Sequence, residues 1–238
     1  MTSMHNSWQA AIALLVLILS SKGGFAAPLS PACWTNKVPQ QLIDVDGTGA
    51  IQGAWSVPGS LLLERLQRAQ APQGVLLAGH DVLSARRICS NILNADIPHA
   101  KMIFGGRERL MAQQGAPAWE WLLVSIDVLA ANLLSGELPG IFIGEGKVVV
   151  GKGLEKSTLT DPGKVAAKLI DSQQMRFESV VLFVAVEHQQ KFFEFFSNNP
   201  LPGVYLSFDD AEVVRDVLNK YASVSADDQA RQLNYYCN

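Results

Sequence analysis

Residues 75–87 read Val75-Leu76-Leu77-Ala78-Gly79-His80-Asp81-Val82-Leu83-Ser84-Ala85-Arg86-Arg87 (VLLAGHDVLSARR). A continuous apolar run gives way to a short polar loop and then to apolar residues spaced three to four apart, the pattern of a strand, a loop and a helix. In α/β proteins a loop leaving the end of a strand is a usual seat of binding and catalytic groups. This one carries Gly79, His80, Asp81 and Ser84, and no cysteine.

The same alternation extends outward. Residues 42–45 (LIDV) form a short strand, 60–70 a helix with Leu61, Leu62, Leu63 and Leu66 on one side, and 75–78 a second strand. A helix over 84–95, a third strand over 101–104 (KMIF) and a helix over 107–113 follow, the last opened by Gly105-Gly106 and closed at Gly115-Ala116-Pro117. This order predicts an α/β fold with a mostly parallel sheet flanked by helices.

Past Pro117 the pattern restarts. A helix is predicted over 126–134, with Asp127 capping it or facing solvent. Residues 141–143 turn through Gly144-Glu145-Gly146 into 148–150, a glycine-turned hairpin. Gly144, Gly146, Gly151 and Gly153 alternate with Lys147 and Lys152, but without the spacing of a phosphate-binding loop, so they are read as turn residues. Asp161-Pro162 starts a helix, and 180–186 (VVLFVAV) is the most apolar strand. Residues 187–197 are a helix whose Phe192, Phe193, Phe195 and Phe196 call for packing on more than one side. A strand over 204–207 and a helix over 209–221 close the chain. The strand pair starting at Val75 and Met102 is 27 residues apart and the pair starting at Val180 and Val204 is 24 apart, so two related small domains are expected.

Composition agrees with a core-forming chain: 238 residues, 48% hydrophobic and 17% charged. The net charge is −3 and no basic run stands out, which argues against nucleic acid as a partner. His5, His80, His99 and His188 lack ligand spacing, so no metal site is expected.

The first residues are of another kind. Residues 10–19 (AAIALLVLIL) are uninterruptedly apolar, and Gly24 and Ala26 supply small residues for a cut after Ala26. Residues 1–26 therefore read as a secretory signal peptide, which places the mature chain in the periplasm or outside the cell, with no stable transmembrane segment after cleavage. An oxidising compartment permits a disulfide. Cys33 lies near the mature start and Cys237 is the second-last residue; because domain termini often lie close together, these two are the expected pair. Cys89, in a helix beside Ile88 and Ile92, reads as a small buried apolar residue.

The order of features in residues 42–117 resembles the rhodanese-like domain. LIDV matches its first strand, AIQGAWSVPGSLL (50–62) its segment around a proline-glycine pair, VLLAGHDVLSARR its strand, active loop and helix, and IFGGRERLMAQQGAP (103–117) its double-glycine segment. The resemblance implies a rhodanese-like unit over 33–117. A second α/β unit over 118–225 is a more degenerate copy or a thioredoxin-like unit, and 226–238 is a tail. In active members of the family a cysteine opens the loop and carries sulfur as a persulfide. Laid on that pattern, this chain has Ala78 at the nucleophile position and Asp46 where the family has an arginine. Sulfur transfer needs a soft, ionisable nucleophile. The resemblance thus implies an exported, non-catalytic protein acting in binding or assembly in the cell envelope, with another envelope protein as partner; a secretion or conjugation apparatus is one such assembly. Gly79, His80, Asp81 and Ser84 are the candidate binding residues on a loop expected to face solvent, and no cofactor is expected. The alternative is a sulfurtransferase that uses another cysteine, with Cys89, or His80 as a base, the weak catalytic candidates.

Overall fold

The computed structural model describes residues 32–47, 49, 51–144, 154–173 and 178–236. The expected signal peptide, the hairpin's second strand (148–150) and Cys237 lie outside the described residues.

The fold is α/β, built on two sheets whose strand pairs are all parallel. In the first, β1 (Trp34–Thr35), β2 (Gln41–Val45), β3 (Ala54–Val57), β4 (Gln73–Leu76) and β5 (Ala100–Ile103) stand in the order β1-β5-β4-β2-β3. Helices α1 (Leu62–Arg68), α2 (Val82–Asn94) and α3 (Gly106–Gln113) connect or follow them. After the short α4 (Ala118–Trp121) and α5 (Ile126–Leu134), the second sheet is built from β6 (Gly140–Ile143), β7 (Leu154–Ser157), β8 (Val180–Val184) and β9 (Val204–Ser207) in the order β7-β6-β8-β9. Its helices are α6 (Pro162–Gln173), α7 (Gln189–Asn198) and α8 (Ala211–Tyr236).

The second unit repeats the first strand by strand. β6, β7, β8 and β9 occupy the places of β2, β3, β4 and β5, and a single parallel bridge from Leu123 to Leu206 stands beside β9 where β1 stands beside β5. The repeat inferred from the spacing of Val75, Met102, Val180 and Val204 is therefore present as strand order.

Some expectations change. β6 lies between β7 and β8 and pairs in parallel with both, so no antiparallel partner of it is found among the described residues. β1 and β3 were not anticipated: β1 has two residues, and β3 (AWSV) sits between Gly53 and Pro58, which read as punctuation. α2 starts two residues early because Asp81 caps it, accepting the Ser84 N–H at 3.2 Å. Ser125 caps α5, and Asp127 is exposed, the second of its two expected roles. The closing helix runs on to Tyr236.

Packing follows the patterns. All five residues of β8 are buried, as a central strand covered on both faces requires. Phe192 and Phe196, four apart on α7, are fully buried, while Phe193 and Phe195 are half-buried against the same core. Cys33 is bonded to Cys89, with Cα atoms 5.7 Å apart, tying β1 to α2. This corrects the expected pairing of Cys33 with Cys237, and it removes Cys89 as a free thiol. Proximity of chain ends was the wrong guide, because β1 lies beside β5 in the sheet that α2 covers. Among the described residues, no helix is long and apolar enough to cross a membrane.

Candidate functional site

The loop between β4 and α2 lies where the carboxyl ends of the first sheet meet the second unit. The Ser179 hydroxyl donates to the Gly79 carbonyl at 2.7 Å, the Leu83 N–H donates to Asn132 Oδ1 at 2.9 Å, and Arg86 pairs with Glu137 at 2.6 Å. The loop is thus held from behind by residues of the second unit.

Its adjacent side chains point apart. Asp81 and Ser84, with Ala78, line an open pocket of about 310 Å³ whose walls include Asp46, Arg87 and Arg107. His80 turns the other way. Its ring meets the Tyr205 ring edge-on with centroids 5.5 Å apart, and its Nδ1 faces Glu108 Oε1 at 3.6 Å. The side chains of His80 and Glu108 are only 16% and 12% exposed, which corrects the expectation of a solvent-facing loop. Gly79 also faces this seam: its N–H donates to Glu108 Oε2 at 2.7 Å, and a Cβ on it would lie 1.9 Å from the Tyr205 hydroxyl. Of the four candidate binding residues, two reach the pocket and two are spent on the seam.

The double glycine explains how α3 comes so close. Gly105 and Gly106 have φ of 77° and 55°, in the left-handed region, and a Cβ on Gly106 would lie 2.3 Å from the Leu77 carbonyl oxygen. The Arg107 N–H then donates to that carbonyl at 2.7 Å. The side chain of Arg107 reaches β2, where Nε donates to Asp44 Oδ1 at 2.8 Å and Nη2 to the Val45 carbonyl at 3.0 Å. Asp46, itself at φ 52°, accepts the Gly59 N–H at 2.9 Å and takes the pocket rim opposite.

Burial sets the protonation of the seam. It pushes the Glu108 carboxyl up to about 7, against the opposing effect of the Gly79 N–H, and it pushes the His80 imidazole down, with Asp81 opposing. It also raises the Tyr205 phenol, which therefore stays neutral. The seam also borders a second, open cavity of about 140 Å³ lined by Glu108, Arg109, Trp121, Pro202 and Tyr205. Among the described residues, no cluster of histidine, cysteine and carboxylate side chains could hold a metal ion.

Gly79→Ala is expected to destabilise the chain by about 1–3 kcal/mol, the usual cost of forcing atoms into a filled interior. The midpoint of urea unfolding measures it. Adding Tyr205→Phe, which removes the atom nearest the new methyl, should restore part of the loss; no restoration would place the clash at the Gly105 backbone, 2.9 Å away, instead.

Arg107, Glu108, Arg87 and Tyr205 were missed by the sequence reading. The first two had a legible signal, because they follow a double glycine at a helix start. Tyr205 had none, since it belongs to the other unit.

Fold and site together define a class: a tandem pair of parallel α/β units with a mixed-charge pocket at the carboxyl edge of the first sheet. No protein-family model matches the chain, and no curated protein matches it.

Proposed function

We propose that the chain is an exported, non-catalytic rhodanese-like protein that acts by binding another envelope protein through the pocket beside Ala78. The observation that carries this reading is the chemistry of the pocket wall. Ala78 stands at the position where the resemblance places a nucleophile, and the nearest described thiol in the sequence, Cys89, is bonded to Cys33. What lines the pocket instead is a surface for recognition: the guanidinium groups of Arg87 and Arg107, the carboxylates of Asp46 and Asp81, the amide of Asn91, and apolar patches from Val45 and Ile88. Such a lining can orient a polar segment of a partner, and with both charge signs it does not select a simple anion. A Cys33–Cys89 disulfide suits an oxidising compartment and so supports export.

Two assays test the reading. Affinity capture from a cell-envelope extract should recover a partner that Arg87→Glu loses. Thiosulfate-to-cyanide sulfur transfer should be absent in the wild type; turnover abolished by Cys89→Ala or Cys237→Ala would sink the proposal and establish a sulfurtransferase. Ala78→Cys is expected to gain one thiol that a maleimide labels in the native protein. A residue-78 cysteine that reacts only after unfolding would show that Ala78 belongs to the core and not to the pocket wall.

A further inference from the structure

The open cavity of about 140 Å³ beside the seam shares no residue of its wall with the pocket at Ala78, apart from the helix that serves both, and its two sides come from different units. Glu108, Arg109 and Ala112 of α3 form one side; Trp121 of α4, Leu201, Pro202 and Tyr205 of β9 form the other. The backbone path sets the distance between them. A Cβ on Gly105 would lie 2.8 Å from Pro202 Cβ, and one on Gly203 would lie 2.8 Å from Phe104 Cζ.

Main-chain groups hold the charged side chains in place. Glu108 Oε2 accepts the Gly79 N–H at 2.7 Å, and Oε1 stands 3.6 Å from His80 Nδ1. Arg109 donates to the Asn36 carbonyl at 2.8 Å and to the Phe104 carbonyl at 3.4 Å, which uses two of a guanidinium's five N–H donors. One side of the cavity thus presents an acceptor and a donor on consecutive residues. The other is largely apolar: the Trp121 indole N–H is spent on the Ala116 carbonyl at 3.0 Å, and Leu201 and Pro202 continue the wall. Gln113 and Tyr205 add no charge.

Charge decides what such a wall accepts. An entering carboxylate is attracted by Arg109 and repelled by Glu108, and an entering ammonium meets the reverse. Each gives up its hydration for a contact that its second neighbour opposes. A carboxamide suits both neighbours, because its C=O accepts from the guanidinium while its NH₂ donates to the carboxylate. The volume equals about five waters at roughly 30 Å³ each, which a carboxamide on a short apolar stem fills.

We propose that this cavity is a second binding site, separate from the pocket beside Ala78, for a neutral carboxamide on a short apolar stem, either a free small amide or the glutamine side chain of a polypeptide.

NMR titration of the full chain with three probes of one shape, isobutyramide, isobutyrate and isobutylammonium, tests it. The measurement is made near pH 8, above the value of about 7 to which burial raises Glu108. Isobutyramide should shift the Trp121 indole N–H and the α3 amides in a saturable way, with both charged probes at least about tenfold weaker because each faces a like charge. Equal binding of all three, or no saturable shift with isobutyramide, would overturn the proposal. Ala112→Leu puts a larger side chain into the cavity and should abolish the shifts; shifts that persist place the binding elsewhere and sink it. Arg109→Met removes the cation and leaves Glu108, so the preference should pass to isobutylammonium, and an unchanged order of affinities would refute the pairing of donor with acceptor. Capped Gly-Gln-Gly and Gly-Glu-Gly peptides then separate the sources, both outcomes upholding the site. A glutamine peptide that binds as isobutyramide does, with its glutamate isostere weaker, identifies a polypeptide side chain; binding of isobutyramide alone identifies a small amide.

Discussion

Arg107→Ala will destabilise the protein by about 3–5 kcal/mol, the usual effect of stranding one member of a buried ion pair. Asp44 is 1% exposed, its Oδ1 takes the Arg107 Nε at 2.8 Å, and its Oδ2 has no hydrogen-bond partner within the described residues. Without the guanidinium, an uncompensated carboxylate remains at the carboxyl end of β2, and the Val45 carbonyl loses a donor. Chemical unfolding should show the loss as a lower midpoint. Adding Asp44→Asn should recover part of it by removing the stranded charge. An Arg107→Ala variant as stable as wild type would mean that water reaches Asp44 in solution and that the pair contributes nothing. Arg107 also forms part of the pocket wall, so on the proposed binding role the capture of a partner should fall in the double variant even where stability has returned.

The second large effect concerns the bond between Cys33 and Cys89, which closes a loop of sequence separation 56. Chain-entropy arguments put a bridge over a loop of that length at roughly 4 kcal/mol, with measured losses of about 2–5 kcal/mol for native disulfides of small exported domains. Cys33→Ser with Cys89→Ser is expected to lower the thermal midpoint by about 10 °C, taking roughly 2–4 °C per kcal/mol for a chain of this size. The change should be concentrated at the start of the first unit. β1 is only two residues long, and besides the packing of Trp34 on the core it is anchored by the parallel pairing with β5 and this bridge to α2. Hydrogen exchange should therefore show β1 opening first, while β8, buried on both faces, stays protected.

Which parts of this were readable in the sequence depended on the range of the forces involved. The strands β2, β4, β5, β6, β8 and β9 and most of the helices between them were read from apolar periodicity, whereas β1, β3 and β7 were not, and the Val180–Val184 strand and the Pro162 helix start fell where local chemistry put them. The repeat was legible for the same reason, because its spacing is a property of one dimension. β3 was missed because four residues between a glycine and a proline look like a turn until β2 supplies the hydrogen bonds. The disulfide was misassigned because sequence position does not say which strands are neighbours.

The loop at Ala78–Ser84 draws the line between the two kinds of information. Its place at the end of a strand and its lack of a thiol follow from consecutive residues, and the sequence by itself determined them; the Asp81 cap, which starts α2 two residues before the expected Ser84, was read only from the structure. The direction of His80 did not follow. It depends on Glu108 in α3 and on Tyr205 and Ser179 in the other unit, brought together by parallel strand order and by the close approach that Gly79 and Gly106 allow. Contacts of that kind belong to packing between segments far apart in the chain, and periodicity, which reports only which face of an element is apolar, contains no term for them.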